Sequence, residues 1–163
     1  MINKKNGYRH LRIQGLSLPD PENDPKLHLE SVENGLRFSI EIGPFEASAI
    51  LIELEGLIPP RPLTHDLIAQ TFRTHGFKPL GMYLYRKVEG LYLAKLLYKK
   101  GWKTHEIELR PSDGFALSLR LGFPVQIESS ILDQLQEEQD QSSYLPPSDQ
   151  FIPNQRQSLS LLD

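Results

Sequence analysis

Two short stretches carry side chains that could act together on a phosphodiester. Arg61-Pro62-Leu63-Thr64-His65-Asp66 and Arg110-Pro111-Ser112-Asp113 each set Arg-Pro ahead of a hydroxyl residue and then an aspartate. Thr64 and Ser112 are good helix N-caps, which puts Asp66 and Asp113 in first helical turns, where the dipole and free N–H groups favour a carboxylate. Glu46 stands in the first turn of an earlier helix opened by Gly43-Pro44. If these helix starts converge, Asp66 and Asp113, with Glu46 as a further ligand, could hold Mg²⁺ or Mn²⁺ against a phosphate. His65 would serve as base or ligand, kept neutral by the helix dipole. Arg61 and Arg110 would stabilise developing charge. Each carboxylate also has a purely structural reading as a partner of its own helix.

A second feature is charge. The net charge is −3, but residues 1–136 carry +1 and the remainder −4. Between residues 73 and 103 lie eight basic residues and a single acid, Glu89. Lys87, Lys95, Lys99, Lys100 and Lys103 are interleaved with Tyr83, Tyr85, Tyr92, Tyr98 and Trp102. Lysines attract phosphate and aromatic rings offer stacking to unpaired bases. The competing reading is an ordinary solvated sheet face with lysines that discourage edge aggregation.

Several chemistries are excluded. The chain has no cysteine, which removes disulfides, zinc–thiolate sites and cysteine nucleophiles. It has no glycine-rich phosphate loop, Gly-x-Ser-x-Gly elbow or His-Glu-x-x-His. His10, His28, His75 and His105 lack acidic neighbours at ligand spacing and read as surface residues. No run approaches the ~18 apolar residues of a membrane span, and no apolar stretch follows the basic N-terminus, so a cytoplasmic location is expected.

The elements that must position these groups follow from apolar periodicity and turn residues. Strands are expected over 8–18, 26–33 and 36–42, the last two joined by a tight Asn34-Gly35 turn. A helix opens at Pro44 with Ala47, Ile50, Leu51 and Leu54 inward, and closes at Gly56. A second, 65–75, presents Leu67, Ile68 and Phe72. Strands over 77–88, 91–99 and 103–109 turn at Glu89-Gly90 and Lys100-Gly101. A third helix after Pro111, a strand over 125–127 and a short helix near 129–136 complete an α+β domain, residues 1–136. Its mixed, mainly antiparallel sheet of hairpins is packed by three to four helices. The two Arg-Pro segments hint at an internal duplication. Residues 137–163, rich in Gln, Ser, Asp and Pro, read as a disordered acidic tail.

Ile42-Gly-Pro-Phe-Glu-Ala47, Leu54-Glu-Gly56, Pro59-Pro-Arg-Pro-Leu-Thr-His-Asp66, Tyr92-Leu-Ala-Lys95, Glu108-Leu-Arg-Pro-Ser-Asp113 and Arg120-Leu-Gly-Phe-Pro124 occur in this order. In motifs and spacing the chain resembles the bifunctional nuclease domain family over about residues 8–136. The resemblance implies a compact α+β domain acting on RNA and DNA. Carried over by motif, its polar positions are Glu46, Arg61, Thr64, His65, Asp66, Arg110, Ser112 and Asp113. Gly114 stands where the family usually has alanine, at up to ~1 kcal/mol of helix propensity.

Two functions follow. The first is a metal-assisted nuclease in which Glu46, His65, Asp66 and Asp113 are catalytic, Asp66 and Asp113 hold the ion, and Arg61, Thr64, Arg110, Ser112, Tyr92, Lys95 and Lys99 bind the strand. The second is a non-catalytic nucleic-acid- or protein-binding module whose Arg–Asp pairs are buried structural caps. Exposure of the carboxylates discriminates them. The apolar strands could also build a homodimer.

Overall fold

The computed structural model describes residues 7–141 and the backbone of residues 151–153. Tyr8–Ser17 (β1), Lys26–Ser31 (β2) and Arg37–Glu41 (β3) form an antiparallel meander. Two helices follow, Pro44–Leu54 (α1) and Thr64–Thr74 (α2). A second antiparallel meander is built from Lys78–Val88 (β4), Leu91–Lys100 (β5) and Lys103–Leu109 (β6). Pro111–Leu121 (α3), Val125–Glu128 (β7) and Ser129–Gln141 (α4) come next, then Phe151–Pro153 (β8). The strands lie in the order β3-β2-β1-β7-β4-β5-β6, with β8 paired to β1 off that path. Only β7 with β4 is parallel among the pairs that join these strands. The result is the expected α+β fold with a mixed, mainly antiparallel sheet.

β7 joins the halves: it pairs antiparallel with the start of β1 and parallel with β4. Each meander runs into a helix with proline at its first position and an acid two residues later, Glu46 in α1 and Asp113 in α3. The internal echo therefore lies between α1 and α3. The sequence suggested α2 and α3, but α2 begins at Thr64, two residues past its Pro62.

Leu16, Leu27, Leu29, Ile50, Leu54, Met82, Leu84, Phe115 and Ile127 are almost wholly enclosed where the inner sheet face meets the helices. Gly114 belongs to this packing. A β-carbon there would come within 1.8 Å of Met82 Sδ and 3.2 Å of Leu109 Cδ1. The glycine gives up helix propensity so that the start of α3 can lie directly on β4.

Several boundaries differ from expectation. Ser31 and Leu36 close a longer loop than the Asn-Gly hairpin expected, with Ser31 N–H donating to Leu36 O at 2.9 Å. Within it the Glu33 carboxylate accepts the His10 backbone N–H at 3.0 Å, a tie a two-residue turn could not supply. Glu89 and Gly90, at φ 49° and 81°, do form the tight turn whose handedness suits twisted strands. α2 buries Ala69 and Phe72, while Leu67 is 61% exposed. Phe72 packs on Phe77 and Tyr98, with ring centroids 5.4 and 5.5 Å away, and this turns Leu67 and Ile68 outward. α4 continues to Gln141, past the expected end at 136, because Ile131, Leu132 and Leu135 anchor it and its polar end still finds partners. Lys87 Nζ reaches Glu138 at 2.8 Å, and Gln139 Nε2 donates to Arg37 O at 2.6 Å.

Candidate functional site

The starts of α1, α2 and α3 come together through two arginines, and each arginine gathers its own carboxylates. Arg110, the N-cap residue of α3, donates from Nε to Asp113 Oδ2 at 2.8 Å and from Nη2 to Asp113 Oδ1 at 3.2 Å. The same Nη2 lies 2.6 Å from Glu46 Oε1 at the start of α1. His65 Nε2 is 3.0 Å from Asp113 Oδ1. Asp113 at neutral pH is an acceptor only, so this bond places the imidazole proton on Nε2 and leaves Nδ1 as the basic nitrogen. No bond engages Nδ1 among the described residues. The Arg110 side chain is 67% exposed, against 26% for Asp113 and 12% for His65. This cluster reaches solvent through its arginine.

The second arginine is Arg120, at the end of α3, with only 3% of its side chain exposed. Its Nε donates to Asp66 Oδ1 at 2.6 Å, and Nη1 donates to the carbonyls of Ala49 at 3.1 Å and Ala116 at 3.0 Å. Asp66 Oδ2 accepts the Leu63 backbone N–H at 2.7 Å. Asp66 is thus the capping acid of α2, and the residue outside the first turn is Leu63 where Thr64 was expected. Ser112 likewise lies inside α3, because Arg110 takes the N-cap position. It is buried at 7% exposure.

Burial alone would push both carboxyls up. The Leu63 N–H and Arg120 at Asp66, and Arg110 and His65 at Asp113, hold them below the usual carboxylate range. Neighbours in sequence, His65 and Asp66 therefore serve different arginines. The two aspartates are engaged by separate partners, Asp66 by Arg120 and the Leu63 N–H and Asp113 by Arg110 and His65. Among the described residues no three His, Asp or Glu side chains approach closely enough to hold a metal ion.

The residues expected to bind a nucleic-acid strand scatter. Arg61 is exposed and has no ion-pair partner among the described residues. Thr64 is exposed beside the cluster. Lys95 Nζ contacts Glu106 Oε1 at 2.6 Å and lies 4.8 Å from the centre of the Tyr85 ring. Lys99 is exposed on the same face of β5. Tyr92, an odd number of residues away, belongs to the opposite, inner face, where it stacks on Phe38 with centroids 6.2 Å apart. Burial pushes its hydroxyl up to about 12. The interleaving of lysines and tyrosines in sequence is thereby divided between two faces of the sheet. His28, expected on the surface, is half-buried between Ser17 Oγ and Ser39 Oγ, the latter 2.8 Å from Nδ1.

A cleft of about 1180 Å³ opens beside the first cluster, lined by Glu108, Arg110, Pro111 and Ser112 together with residues of β3 and β5. Against this geometry, the model of the bifunctional nuclease domain matches residues 27–140. The chain belongs to the bifunctional nuclease domain family. Two uncharacterized proteins of Mycobacterium tuberculosis, MT1877 and Rv1829, are each 36% identical to it over 124 residues, covering 76% of this chain and 74% of the relative. The family match spans both arginine clusters and every helix that builds them. Among the described residues no helix is long and apolar enough to cross a membrane.

Sequence reasoning missed Arg120 as part of this domain's helix junction. A signal was there: it falls four residues after Ala116 and three after Leu117, on the inward face of α3. An arginine on an apolar stripe needs buried acceptors, and Asp66 with two backbone carbonyls supplies them.

Proposed function

We propose that the chain cleaves phosphodiester bonds of RNA and DNA strands, with His65, oriented by Asp113, as the proton-transfer group. The observation that carries this reading is the Asp113 carboxylate, which accepts from His65 Nε2 and from an exposed Arg110 at the mouth of the cleft. A carboxylate that fixes the imidazole proton on one nitrogen makes the other a general base. His65 Nδ1 would take the proton of the attacking hydroxyl or water. Arg110, steadied by Glu46, would grip a non-bridging phosphate oxygen, and Arg61 would contact the neighbouring phosphate. Asp66 has no part in the chemistry; it caps α2 and holds its start in place.

The test is cleavage of labelled single-stranded RNA and DNA by purified protein, with Mg²⁺, with Mn²⁺ and with EDTA. Asp113→Asn and His65→Gln should each lower the rate at least ~100-fold, the usual scale of a lost proton-transfer group, in protein that circular dichroism shows still folded. Cleavage unaffected by either change overturns the assignment. A second reading, a non-catalytic nucleic-acid-binding module, draws on the buried Arg120–Asp66 pair, which is structural. Salt-sensitive binding without cleavage under any of the three conditions would favour it.

A further inference from the structure

The cleft is lined by three runs of consecutive residues, 39–43, 90–94 and 108–112, the first two on β3 and at the start of β5. Alternate residues line a pocket on a sheet face; consecutive ones line a pocket along a strand edge. In an antiparallel strand, the N–H and C=O of one residue point to the same side and those of the next to the other. Ile42 N–H donates to Pro25 O at 3.0 Å, on the β2 side. Ile42, Ile40 and Phe38 thus face β2, and Glu41, Ser39 and Arg37 turn their backbone groups to the open edge. Arg37 O is already taken by Gln139 of α4. The outward groups of Ser39 and Glu41 meet no partner among the described residues.

The opposite wall is also an unpaired edge. β6 pairs with β5 only as far as Ala94, opposite Leu109, while β5 itself starts at Leu91. Tyr92, two residues before Ala94, therefore points its backbone groups to the side that β6 has left. The two edges approach where Phe38 stacks on Tyr92. Ile40, Ile42, Leu91 and Leu93 give the slot apolar walls.

We propose that this slot docks a single extended peptide segment of a partner protein, which adds as a strand between the open edge of β3 and the start of β5. Strand addition supplies main-chain hydrogen bonds on both sides, and apolar pockets select alternate side chains. The run of residues 39–43 matches about five residues of strand at ~3.3 Å each. Lining charges balance, Lys26, Lys87 and Arg110 against Glu41, Glu108 and Glu138, so an uncharged, alternating apolar and polar segment fits best. A second copy of the chain fits less well, because its own edge strand has a sheet behind it and the residues 90–94 wall stands opposite. The proposal does not depend on the phosphodiesterase reading.

The probe is a display library of random linear heptapeptides selected on the full-length protein. Enriched sequences should alternate apolar and polar residues, and their synthetic forms should bind. N-methylation of an alternate peptide amide should weaken binding about tenfold or more, the scale of one lost main-chain bond pair. Glu41→Pro removes only an outward N–H and is compatible with an edge strand; it should bind about tenfold more weakly with its melting temperature nearly kept. If Glu41→Pro fails to fold, the N-methylated peptides still decide the matter. No enrichment, enrichment without alternation, or binding indifferent to N-methylation overturns the proposal. So does a wild-type dimer in light scattering that Glu41→Pro makes monomeric, since the edge then serves a second copy.

Discussion

Single residues here divide between chemistry and construction. Asp66 and Asp113 occupy the same third position of their helices, yet one faces a buried arginine and the other an exposed one. Both carboxyls are held low in the folded chain, below the ~3.9 of an unfolded aspartate. The stability they contribute is thus complete above about pH 4 and is lost as pH falls through the folded values. Acid titration followed by circular dichroism should show Asp66→Asn less stable than wild type at pH 7, with a flatter loss of stability between about pH 5 and pH 2. Arg120→Met should cost about 3 kcal/mol in urea denaturation, because it strands Asp66 and frees the Ala49 and Ala116 carbonyls. Adding Asp66→Asn to it should recover part of that loss. Strict additivity of the two changes would mean that the ion pair does not hold the junction.

At the scale of elements, the start of α3 is set by a close approach to Met82 that leaves no room for a β-carbon at residue 114. Alanine at 114 would gain up to ~1 kcal/mol of helix propensity and lose about 1–3 kcal/mol to overpacking on Met82. Gly114→Ala should therefore destabilise the wild type, and become neutral or favourable in a Met82→Ala background; the same sign in both backgrounds would dismiss the clash. Elements of this kind were largely legible in the sequence. Helix α1, the Glu89-Gly90 turn and strands β4–β6 follow from periodicity and turn chemistry to within a residue or so. Less legible was how each element is rotated. The outward Leu67 and Ile68 depend on Phe72 meeting Phe77 and Tyr98 from other elements. The pairing of His65 with Asp113, and of Asp66 with Arg120, joins residues 48 and 54 positions apart, and no local pattern specifies which arginine each acid will meet. Tyr92 and Lys95 could have been assigned to opposite faces from their odd spacing alone.

At the scale of the whole molecule, two similar meanders are held side by side by one short strand. Chains ended after Leu121, lacking β7 and α4, should give expanded, aggregation-prone protein without a cooperative unfolding transition. A sharp transition in such a chain would mean that the half-sheets pair without a splice. The position of β7 also carries a consequence for the newborn chain. β1 is made well before one of its partners, since its residues 8–11 pair with residues 125–128. At ~5–20 residues per second of synthesis, that stretch waits on the order of ten seconds beside the ribosome with its hydrogen-bonding edge bare. That part of β1 carries Arg9 and, just beyond the stretch, Arg12, charges more typical of a sheet border than of the centre where it ends. The composition suits a strand that begins life as an edge and must stay unattached until its late partner arrives.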